Sequence, residues 1–471
     1  MVRGTGRVRS VVADWLRGLD PERWNVSGAG VRSCGRVATT PPQGQCGSGG
    51  ESVLIFSILS TVAVWGLGVV AVISLYQAAV IAVGSWLPRF RRSQVEAPPT
   101  HRFTIIIPAS DEESVVGGLV HDLLAQDYPH ELRSVLVVAH NCSDATAGVA
   151  RAAGADVIEL STVERIKDVA VIAGLEHLAD DVSLVGVIDA DAEVRPGLLR
   201  AVSGSIGDAP ALQVETEPAS ETGGLVGGYG IARRARSLLY WRPRSRLGLS
   251  VVLTGGAYFL RPKALLAQFE SFRTMTEDLE LTARLVVSGG KVVYLRTPAV
   301  RVQEAPSVSV SLWQRTRWAR GHLAVIRGEF FPLVGRAARG HLPALDFALY
   351  LAVPTRMLTR YVVAVGLVLA LLSPGMAPPL WLMMTAAVGE LILPAIVCVY
   401  GGLVRGNTRD FLALARVTVL SLLWIPIGIA ALVTLRRRTW MSVPRKSRPA
   451  RVARVKEGRS ADGPVGTSGG P

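Results

Sequence analysis

The chain of 471 residues is 49% hydrophobic and only 19% charged, and its formal net charge is +14. Soluble domains usually carry about 25% charged residues, so this composition argues against a purely soluble protein and favours segments that lie in lipid. The sequence has 4 cysteines and no CxxC pair, which excludes a disulfide scaffold and disfavours a zinc or thioredoxin-like site.

The N-terminal part of the sequence changes from polar to apolar. Residues 1–50 are rich in Gly, Arg, Ser and Pro and show no sustained period, which predicts a disordered segment. Ser52–Pro88 contains no charged residue, so we predict a transmembrane helix within 51–88; this length is generous for one tilted span and tight for a hairpin of two. Three arginines follow within four residues, and by the positive-inside rule they place the next domain in the cytoplasm.

Residues 101–335 have a different pattern, in which short β-branched runs alternate with helical stretches. The runs are Phe103–Pro108, Val135–Ala139, Asp156–Leu160 and Val182–Asp189. This rhythm predicts an α/β fold, with a mostly parallel, Rossmann-like sheet covered by helices. Ligands of such sheets bind at the carboxyl ends of the strands, and this sequence has its polar clusters there.

Hydrophobic segments return after the α/β region. We predict an interfacial helix over 342–360 and a C-terminal transmembrane bundle over 357–435, with spans near 357–373, 378–402 and 415–435. Within this bundle Glu390 interrupts an apolar run. Such a carboxylate either lines a path through the membrane or lies near the membrane edge.

The positive charge is concentrated in the predicted basic, disordered tail 436–471. Arg436–Arg459 holds ten Lys or Arg and a single acid, so the tail is either solvated or attracted to anionic lipid headgroups. No recognised nucleic-acid-binding fold precedes it, so we expect no nucleic-acid partner. One span before the cytoplasmic domain and three after it put this tail outside, against the positive-inside rule. Either one segment is re-entrant, or 342–360 spans the membrane, or the rule fails here.

The first candidate site lies at the end of a predicted strand. Asp189 and Asp191 flank Ala190 after the apolar run Leu184–Ile188, and residues i and i+2 of a strand point to the same face. Two such carboxylates suit a hard divalent cation, Mg²⁺ or Mn²⁺, that is shared with a nucleotide diphosphate. The alternative is a solvated turn.

A second acidic motif, Thr276-Glu277-Asp278, stands before a helical pattern. Acids in the first turn of a helix are expected for capping and dipole reasons alone. The functional interpretation is that Asp278 is a general base within reach of a substrate hydroxyl.

A third motif puts Gln314, Arg317 and Trp318 within one helical turn. Arginine suits a diphosphate, and tryptophan suits the face of a sugar or a base. The alternative is a juxtamembrane Arg/Trp anchor.

The order of these motifs before a membrane bundle resembles that of the family 2 inverting glycosyltransferases, specifically the membrane-integrated polysaccharide synthases such as cellulose, chitin, hyaluronan and poly-N-acetylglucosamine synthases. The resemblance covers about 103–330 in detail. It implies a cytosolic GT-A-type (Rossmann-like) domain flanked by transmembrane helices, a divalent metal, a UDP-linked sugar donor and an integral protein of the cell (plasma) membrane.

The resemblance also implies a role for each matching residue. Asp278, next to Glu277, takes the acceptor proton; Asp191 ligates the metal; Gly255, Gly256 and Trp318 lie on the acceptor side. The residues that would contact the nucleotide sugar are Asp111, Glu113, His140, Asp144, Lys167, Asp189, Gln314, Arg317 and Trp318.

Three positions depart from the family pattern. Asp111 stands where asparagine is usual, Ile166 stands where glycine precedes the lysine, and His140 stands where an aspartate contacts the uracil. A neutral imidazole can still donate or accept one hydrogen bond, but the carboxylate charge is lost. The uracil contact, and with it the choice of nucleotide, is therefore open.

The implied mechanism is a single in-line displacement at the anomeric carbon, without a covalent enzyme intermediate, that gives a β-linked product from an α-linked donor. Three functions are compatible with the sequence. The leading one is extension of a β-linked polysaccharide, the second is a single transfer to a lipid acceptor, and the third is a non-catalytic membrane protein with a decayed transferase domain.

Overall fold

The computed structural model describes residues 48–87, 99–163, 166–219, 225–262, 274–305, 307–353, 356–372, 380–400, 412, 415 and 423–435. The tail 436–471 and all but the last three residues of the segment 1–50 lie outside the described residues, so both remain predictions.

Within this described part, eight strands form one sheet. The strands are β1 Phe103–Ala109, β2 Arg133–His140, β3 Asp156–Leu160, β4 Leu184–Ile188, β5 Glu193–Val194, β6 Ala211–Pro218, β7 Ala257–Leu260 and β8 Val292–Val302. The helices are α1 Ser48–Trp86, α2 Val116–Leu124, α3 Thr146–Ala152, α4 Lys167–Glu176, α5 Leu198–Ser205, α6 Leu225–Arg236, α7 Arg242–Arg246, α8 Glu277–Val287, α9 Val308–Ala337, α10 Leu342–Leu351, α11 Arg356–Leu372, α12 Leu380–Ala387, α13 Leu393–Tyr400 and α14 Trp424–Val433. Short π-helical segments, Ser237–Trp241 and Val388–Ile392, join α6 to α7 and α12 to α13.

The strand order of the sheet is β3-β2-β1-β4-β7-β6-β8-β5. Strands β3, β2, β1 and β4 pair in parallel, as the βαβ rhythm predicts. Strand β7 pairs antiparallel with both β4 and β6, β8 runs parallel to β6, and β5 is antiparallel to β8. The sheet is therefore mixed, and the Rossmann-like GT-A class is confirmed with a parallel half and a mixed half.

Helices cover both faces of the sheet, and β1 is therefore buried on both sides. Ile105 and Ile107 point into a core formed with α2, α3 and α5. Ile106 points to the other face, where its neighbours come from α4, α8, α9 and α10. The three helices next to the Lys167, Thr-Glu-Asp and Gln-x-x-Arg-Trp motifs thus share one face of the sheet.

Two helical stretches are long and apolar enough to cross a membrane, judged by length and composition over the residues described: Gly68–Trp86 of α1 and Trp381–Val399 of α12–α13. Helix α10 ends at Leu351 and α11 begins at Arg356, so the predicted interfacial helix 342–360 is divided. The sequence contains Pro354 at this point, and helices usually end before a proline. Glu390 lies in the π-helical segment and is buried against α1.

A buried ion pair joins the sheet domain to α1 and α10. Arg244 of α7 donates from Nε and Nη2 to the two carboxylate oxygens of Asp346, at 2.8 and 2.9 Å. The same Nη2 donates to Gln77 Oε1 at 2.6 Å, and the Tyr76 hydroxyl donates to Asp346 at 3.0 Å. We call these four residues the Arg244 cluster. Because they come from α1, α7 and α10, they fix these helices against one another.

Candidate active site

Asp189 lies directly after β4, where its carboxylate is held by the turn that precedes β7. The Gly256 N–H donates to Asp189 Oδ2 at 2.9 Å, and the Asp189 N–H donates to the Gly256 carbonyl at 3.2 Å. Gly256 has φ of +110°, and a Cβ there would come within 2.9 Å of Thr216. Only glycine adopts this conformation without strain, so the residue type at 256 sets the position of Asp189.

Lys167 joins the strand-end acids to the Thr-Glu-Asp motif. Its Nζ lies 2.7 Å from Asp189 Oδ1 and 3.1 Å from Glu277 Oε1, and its side chain is only 15% exposed. Burial alone would lower the pKa of Lys167, but Asp189 and Glu277 outweigh it and raise the pKa well above its ordinary value. Three motifs that are far apart in the sequence therefore meet at one charged ammonium group.

Asp278 lies beside this group at the start of α8. Burial and the neighbouring Glu277 raise the pKa of Asp278 to about 7, against the opposing effect of Lys167. Its Oδ1 accepts a hydrogen bond from the Leu279 N–H at 2.8 Å. A carboxylate with a pKa near neutrality matches what a general base needs at physiological pH.

Asp168 belongs to the same group and was missed in the sequence. The residue is 2% exposed, and its Oδ2 has no hydrogen-bond partner among the residues that the structure describes. Burial and Glu277 raise the pKa of Asp168 to about 8, with Lys167 opposing. The sequence does show that Asp168 follows Lys167, which could have marked it as a candidate site residue. It does not show that the first turn of α4 is buried.

The Gln-x-x-Arg-Trp motif lies on α9. Gln314 and Arg317 are half-buried, and Trp318 is 43% exposed. Residues three and four apart share one face of a helix, so these side chains form a stripe with Gly321. Gly321 packs against the Thr276 side chain, which brings this stripe up to the Thr-Glu-Asp motif.

Arg315, inside the same motif, has a different environment. Its guanidinium lies 4.6 Å from the ring centroid of Tyr229 and 5.6 Å from that of Trp424. Its Nε donates to Ser311 Oγ at 3.0 Å, and the Tyr229 hydroxyl is 2.6 Å from the same oxygen. Arg315 thus holds α6 and α14 against α9.

The loops after β1 and β2 are hydrogen-bonded to each other through three of the predicted nucleotide contacts. Asp111 has φ of +55°, and its Oδ1 accepts from the Ser143 N–H at 2.7 Å. Glu113 accepts from the Ala145 N–H at 3.0 Å and donates its own N–H to Asp144 Oδ2 at 3.1 Å. Burial raises the pKa of Asp144, but hydrogen bonds from Thr146 and the Glu113 N–H outweigh it, so the pKa lies below its ordinary value.

His140 ends β2, and its ring is hydrogen-bonded to the residues that follow β2 and β3. The Thr162 N–H donates to Asn141 Oδ1 at 2.9 Å, which identifies the other amide atom of Asn141 as the donor nitrogen. That nitrogen lies 3.1 Å from His140 Nε2, and the Thr162 hydroxyl is 2.7 Å from the same atom. Asn141 and Thr162 thus fix the orientation of the His140 ring.

Two acidic groups are candidates for a divalent cation. Within the described residues, the ligand atoms of Asp111, Cys142 and Asp144 lie within 4.8 Å of one another. Burial raises the pKa of the Cys142 thiol, so this group suits a hard cation poorly. Asp191 is buried and follows Asp189 by two residues. The carboxylates around Lys167 carry more negative charge than its single positive charge can balance. An all-oxygen donor set with excess negative charge fits Mg²⁺ or Mn²⁺.

The chain is similar to known proteins over the region that holds this site. The family described as "Glycosyltransferase like family 2" matches residues 98–321. The beta-monoglucosyldiacylglycerol synthase of Synechocystis sp. is 32% identical over 237 residues, which cover 47% of this chain and 48% of that enzyme. The enzyme of the same name from Trichormus variabilis is 25% identical over 385 residues, which cover 76% of this chain and 78% of the relative. The chain thus spans about half the length of the first relative.

Among solved structures, the mannosyltransferase PcManGT from Pyrobaculum calidifontis in complex with GDP-Man and Mn²⁺ matches with a TM-score of 0.47 and 17% identity, covering 79% of this chain and 99% of that one. The family match spans β1 to the first half of α9 and includes every predicted site residue. Over residues 98–321, this chain is therefore similar to the family 2 glycosyltransferases.

Proposed function

We propose that the protein is a membrane-bound inverting glycosyltransferase that transfers a single sugar from a nucleotide-diphosphate donor to a lipid acceptor. The observation that carries the proposal is the position of Lys167, which bridges Asp189 and Glu277 beside Asp278. This arrangement puts a fixed positive charge next to a carboxylate that can take a proton, which is what the transfer requires.

The lipid acceptor is preferred to the growing polysaccharide expected from the motif order. The relatives given above are named for the synthesis of monoglucosyldiacylglycerol. Two helical stretches of the described chain are apolar enough to cross a membrane, and α1 is fixed directly to the catalytic domain by the Arg244 cluster. A lipid acceptor reaches such a domain from the bilayer. We infer an integral membrane protein with its catalytic domain in the cytoplasm.

In the proposed reaction, the acceptor hydroxyl attacks the anomeric carbon of the donor in line with the leaving diphosphate. Asp278 takes the hydroxyl proton as the new bond forms. Lys167 and Arg317 offset the negative charge that develops on the leaving group. Asp191, with Asp189 beside it, would hold the divalent cation, which supplies further positive charge when bound. One inversion at carbon gives a β-linked product from an α-linked donor.

The choice of donor base is part of the proposal. Resemblance to the family suggests a UDP-sugar, but His140 stands where the family has an aspartate. The base therefore meets an imidazole in place of a carboxylate acceptor. The non-catalytic alternative is disfavoured because Lys167, Asp189, Glu277 and Asp278 form one charged group in which the pKa values of Lys167 and Asp278 are both raised. Packing alone does not require such a group.

A transfer assay on membranes tests the proposal. Membranes that contain the protein are incubated with Mn²⁺ or Mg²⁺ and a panel of labelled sugar nucleotides, and the lipid extract and the aqueous phase are both sized. A labelled glycolipid with one sugar supports the proposal, and a polymer ladder supports the polysaccharide alternative instead. No label in either fraction with any donor, while Asp278→Asn behaves identically, would favour the non-catalytic alternative.

A further inference from the structure

Helices α8 and α9 touch at a point where neither can move closer. A Cβ placed on Gly321 would lie 2.9 Å from Thr276 Cβ and nearer still to the Thr276 Oγ1 and Cγ2 atoms. These Thr276 atoms belong to a short, β-branched side chain, which cannot turn away as the end of a long side chain can. Gly321 is buried, so any larger residue must push α9 and Thr276 apart.

A second contact ties the same two helices about two turns further along. Arg284 of α8 pairs with Glu280 on its own helix and reaches Glu329 of α9 at 3.4 Å. Glu280 is 1% exposed, and its second oxygen accepts from the Thr274 N–H at 2.9 Å. The stretch that leads into Thr276 is therefore held by Glu280 of α8 and by Gly321 of α9. The Gly321 contact sets the distance between two helices that the Arg284–Glu329 pair also joins.

Both ends of this contact lead directly to proposed site residues. At the start of α8, Thr276 immediately precedes Glu277, which bonds Lys167, and Asp278, the proposed base. On α9, Gly321 follows Trp318 and Arg317 by three and four residues, so all three lie on one face. A change in the spacing at Gly321 is therefore a change in the distance between the base and the side chains that would hold the donor.

We propose that Gly321 is a positioning residue whose missing side chain sets the distance between Asp278 and the Arg317–Trp318 face. This inference deepens the proposed function and rests on it for the roles of those residues. Two other glycines of the same helix provide the contrast. A Cβ on Gly328 or Gly335 would meet nothing within 4 Å, so the helix tolerates alanine there on steric grounds.

Four variants test the proposal: Gly321→Ala, Gly328→Ala, Thr276→Gly and the double variant Gly321→Ala/Thr276→Gly. For Gly321→Ala we expect kcat to fall roughly 10- to 100-fold, since a displacement of about 1 Å can cost that much in a positioned reaction. The donor KM should change by no more than about threefold, because Arg317 and Trp318 keep their own helix. Gly328→Ala makes the same chemical change on the same helix and should stay within about twofold of the parent.

The double variant separates positioning from mere packing. Thr276 makes no side-chain cap bond to α8, so Thr276→Gly removes the obstructing atoms at little cost to the helix start. Adding it to Gly321→Ala should restore most of kcat. If Gly321→Ala alone does not fold, recovery of a folded, active protein by the double variant supports the proposal. A kcat for Gly321→Ala equal to that of Gly328→Ala, or a double variant that stays as impaired as the single one, overturns it.

Two readouts keep this test separate from that of the proposed function. Melting temperature and the binding of UDP with Mn²⁺ are measured for all four variants without any acceptor. A parent protein that binds UDP but glycosylates no lipid refutes the lipid acceptor. The Gly321 contact is then judged from melting temperatures, which Gly321→Ala should lower and the added Thr276→Gly should restore.

Discussion

The Lys167 ammonium nitrogen lies 2.7 Å from Asp189 Oδ1 and so provides the counter-charge of the strand-end acid. Because the same nitrogen also reaches Glu277, one side chain neutralises part of two motifs that lie far apart in the sequence. In the proposed function, a donor diphosphate brings further negative charge next to Lys167. We then expect the Lys167 ammonium group to exchange its carboxylate contacts for phosphate contacts.

Lys167→Met should lower both stability and donor binding. The change leaves two carboxylates in a largely buried group without their counter-charge, and breaking a buried pair costs about 3–5 kcal/mol. We expect a lower urea midpoint and at least roughly tenfold weaker binding of UDP with Mn²⁺, measured by calorimetry. Lys167→Arg is the matched control, since it keeps the charge and should retain more of the stability. Equal stability and binding in Lys167→Met and the parent would contradict the bridging role.

The rate of transfer should rise with pH through neutrality. Asp278 accepts a proton only in its ionised form, and its pKa of about 7 leaves about one tenth ionised at pH 6 and about nine tenths at pH 8. The activity therefore increases over this interval and then levels. Asp278→Asn should abolish transfer while the melting temperature stays close to that of the parent. A flat profile from pH 6 to 8, or turnover in Asp278→Asn, removes Asp278 as the base.

Asp168→Asn should flatten the pH dependence of stability. The folded protein holds the Asp168 proton up to a pKa of about 8, whereas the unfolded chain loses it near its ordinary pKa of about 4. The stability associated with this proton is fully present below about pH 4 and is lost as pH rises through 8, by up to about 1.4 kcal/mol per unit. Urea midpoints of the variant and the parent should agree near pH 4 and diverge above it, with the variant higher. Parallel curves would show that Asp168 is ionised in the folded state.

Arg244→Met should destabilise the protein more than the loss of an exposed ion pair does. Arg244 and Asp346 are each 1% exposed, so the change strands a buried carboxylate, at about 3–5 kcal/mol. The double variant Arg244→Met/Asp346→Leu should recover much of this loss. Arg102→Met is the comparison, because its partner Asp181 is largely exposed and such pairs contribute little. Similar melting temperatures for the Arg244 and Arg102 variants would contradict the prediction.

The parallel half of the sheet could be predicted from the sequence, and the mixed half could not. Asp156–Leu160 forms β3 with the predicted bounds, and β1, β2 and β4 differ from the predicted runs by one or two residues at an end. Strands β1 and β4 are buried along their whole length and read as nearly continuous apolar runs. Ala257–Leu260 has only four residues after a Gly-Gly turn, too short for a periodic signal, and so the antiparallel centre of the sheet was not foreseen.

The candidate site was only partly predictable for a similar reason. Asp189, Glu277 and Asp278 were candidates because each stands at a recognisable strand or helix end, and Lys167 was a candidate through the resemblance to the family. The bridging position of Lys167 depends on how α4 and α8 pack, which no local pattern encodes. Asp168 and Gly321 were missed because their importance comes from burial and from a contact between helices, and both are properties of the folded chain.

The Arg244 cluster indicates where the folding unit of this protein ends. The stretch that matches the glycosyltransferase family is 98–321, and it contains Arg244. The carboxylate that neutralises Arg244, Asp346, follows this stretch in the sequence, and the amide that accepts its other hydrogen bond, Gln77, precedes it. A fragment trimmed to the family boundaries would keep the Tyr240 carbonyl near Arg244 but would remove the Asp346 carboxylate and the Gln77 amide. The smallest piece that keeps both of these contacts extends from α1 through α10. The first apolar helix is thus an integral part of the catalytic domain and not a detachable tether.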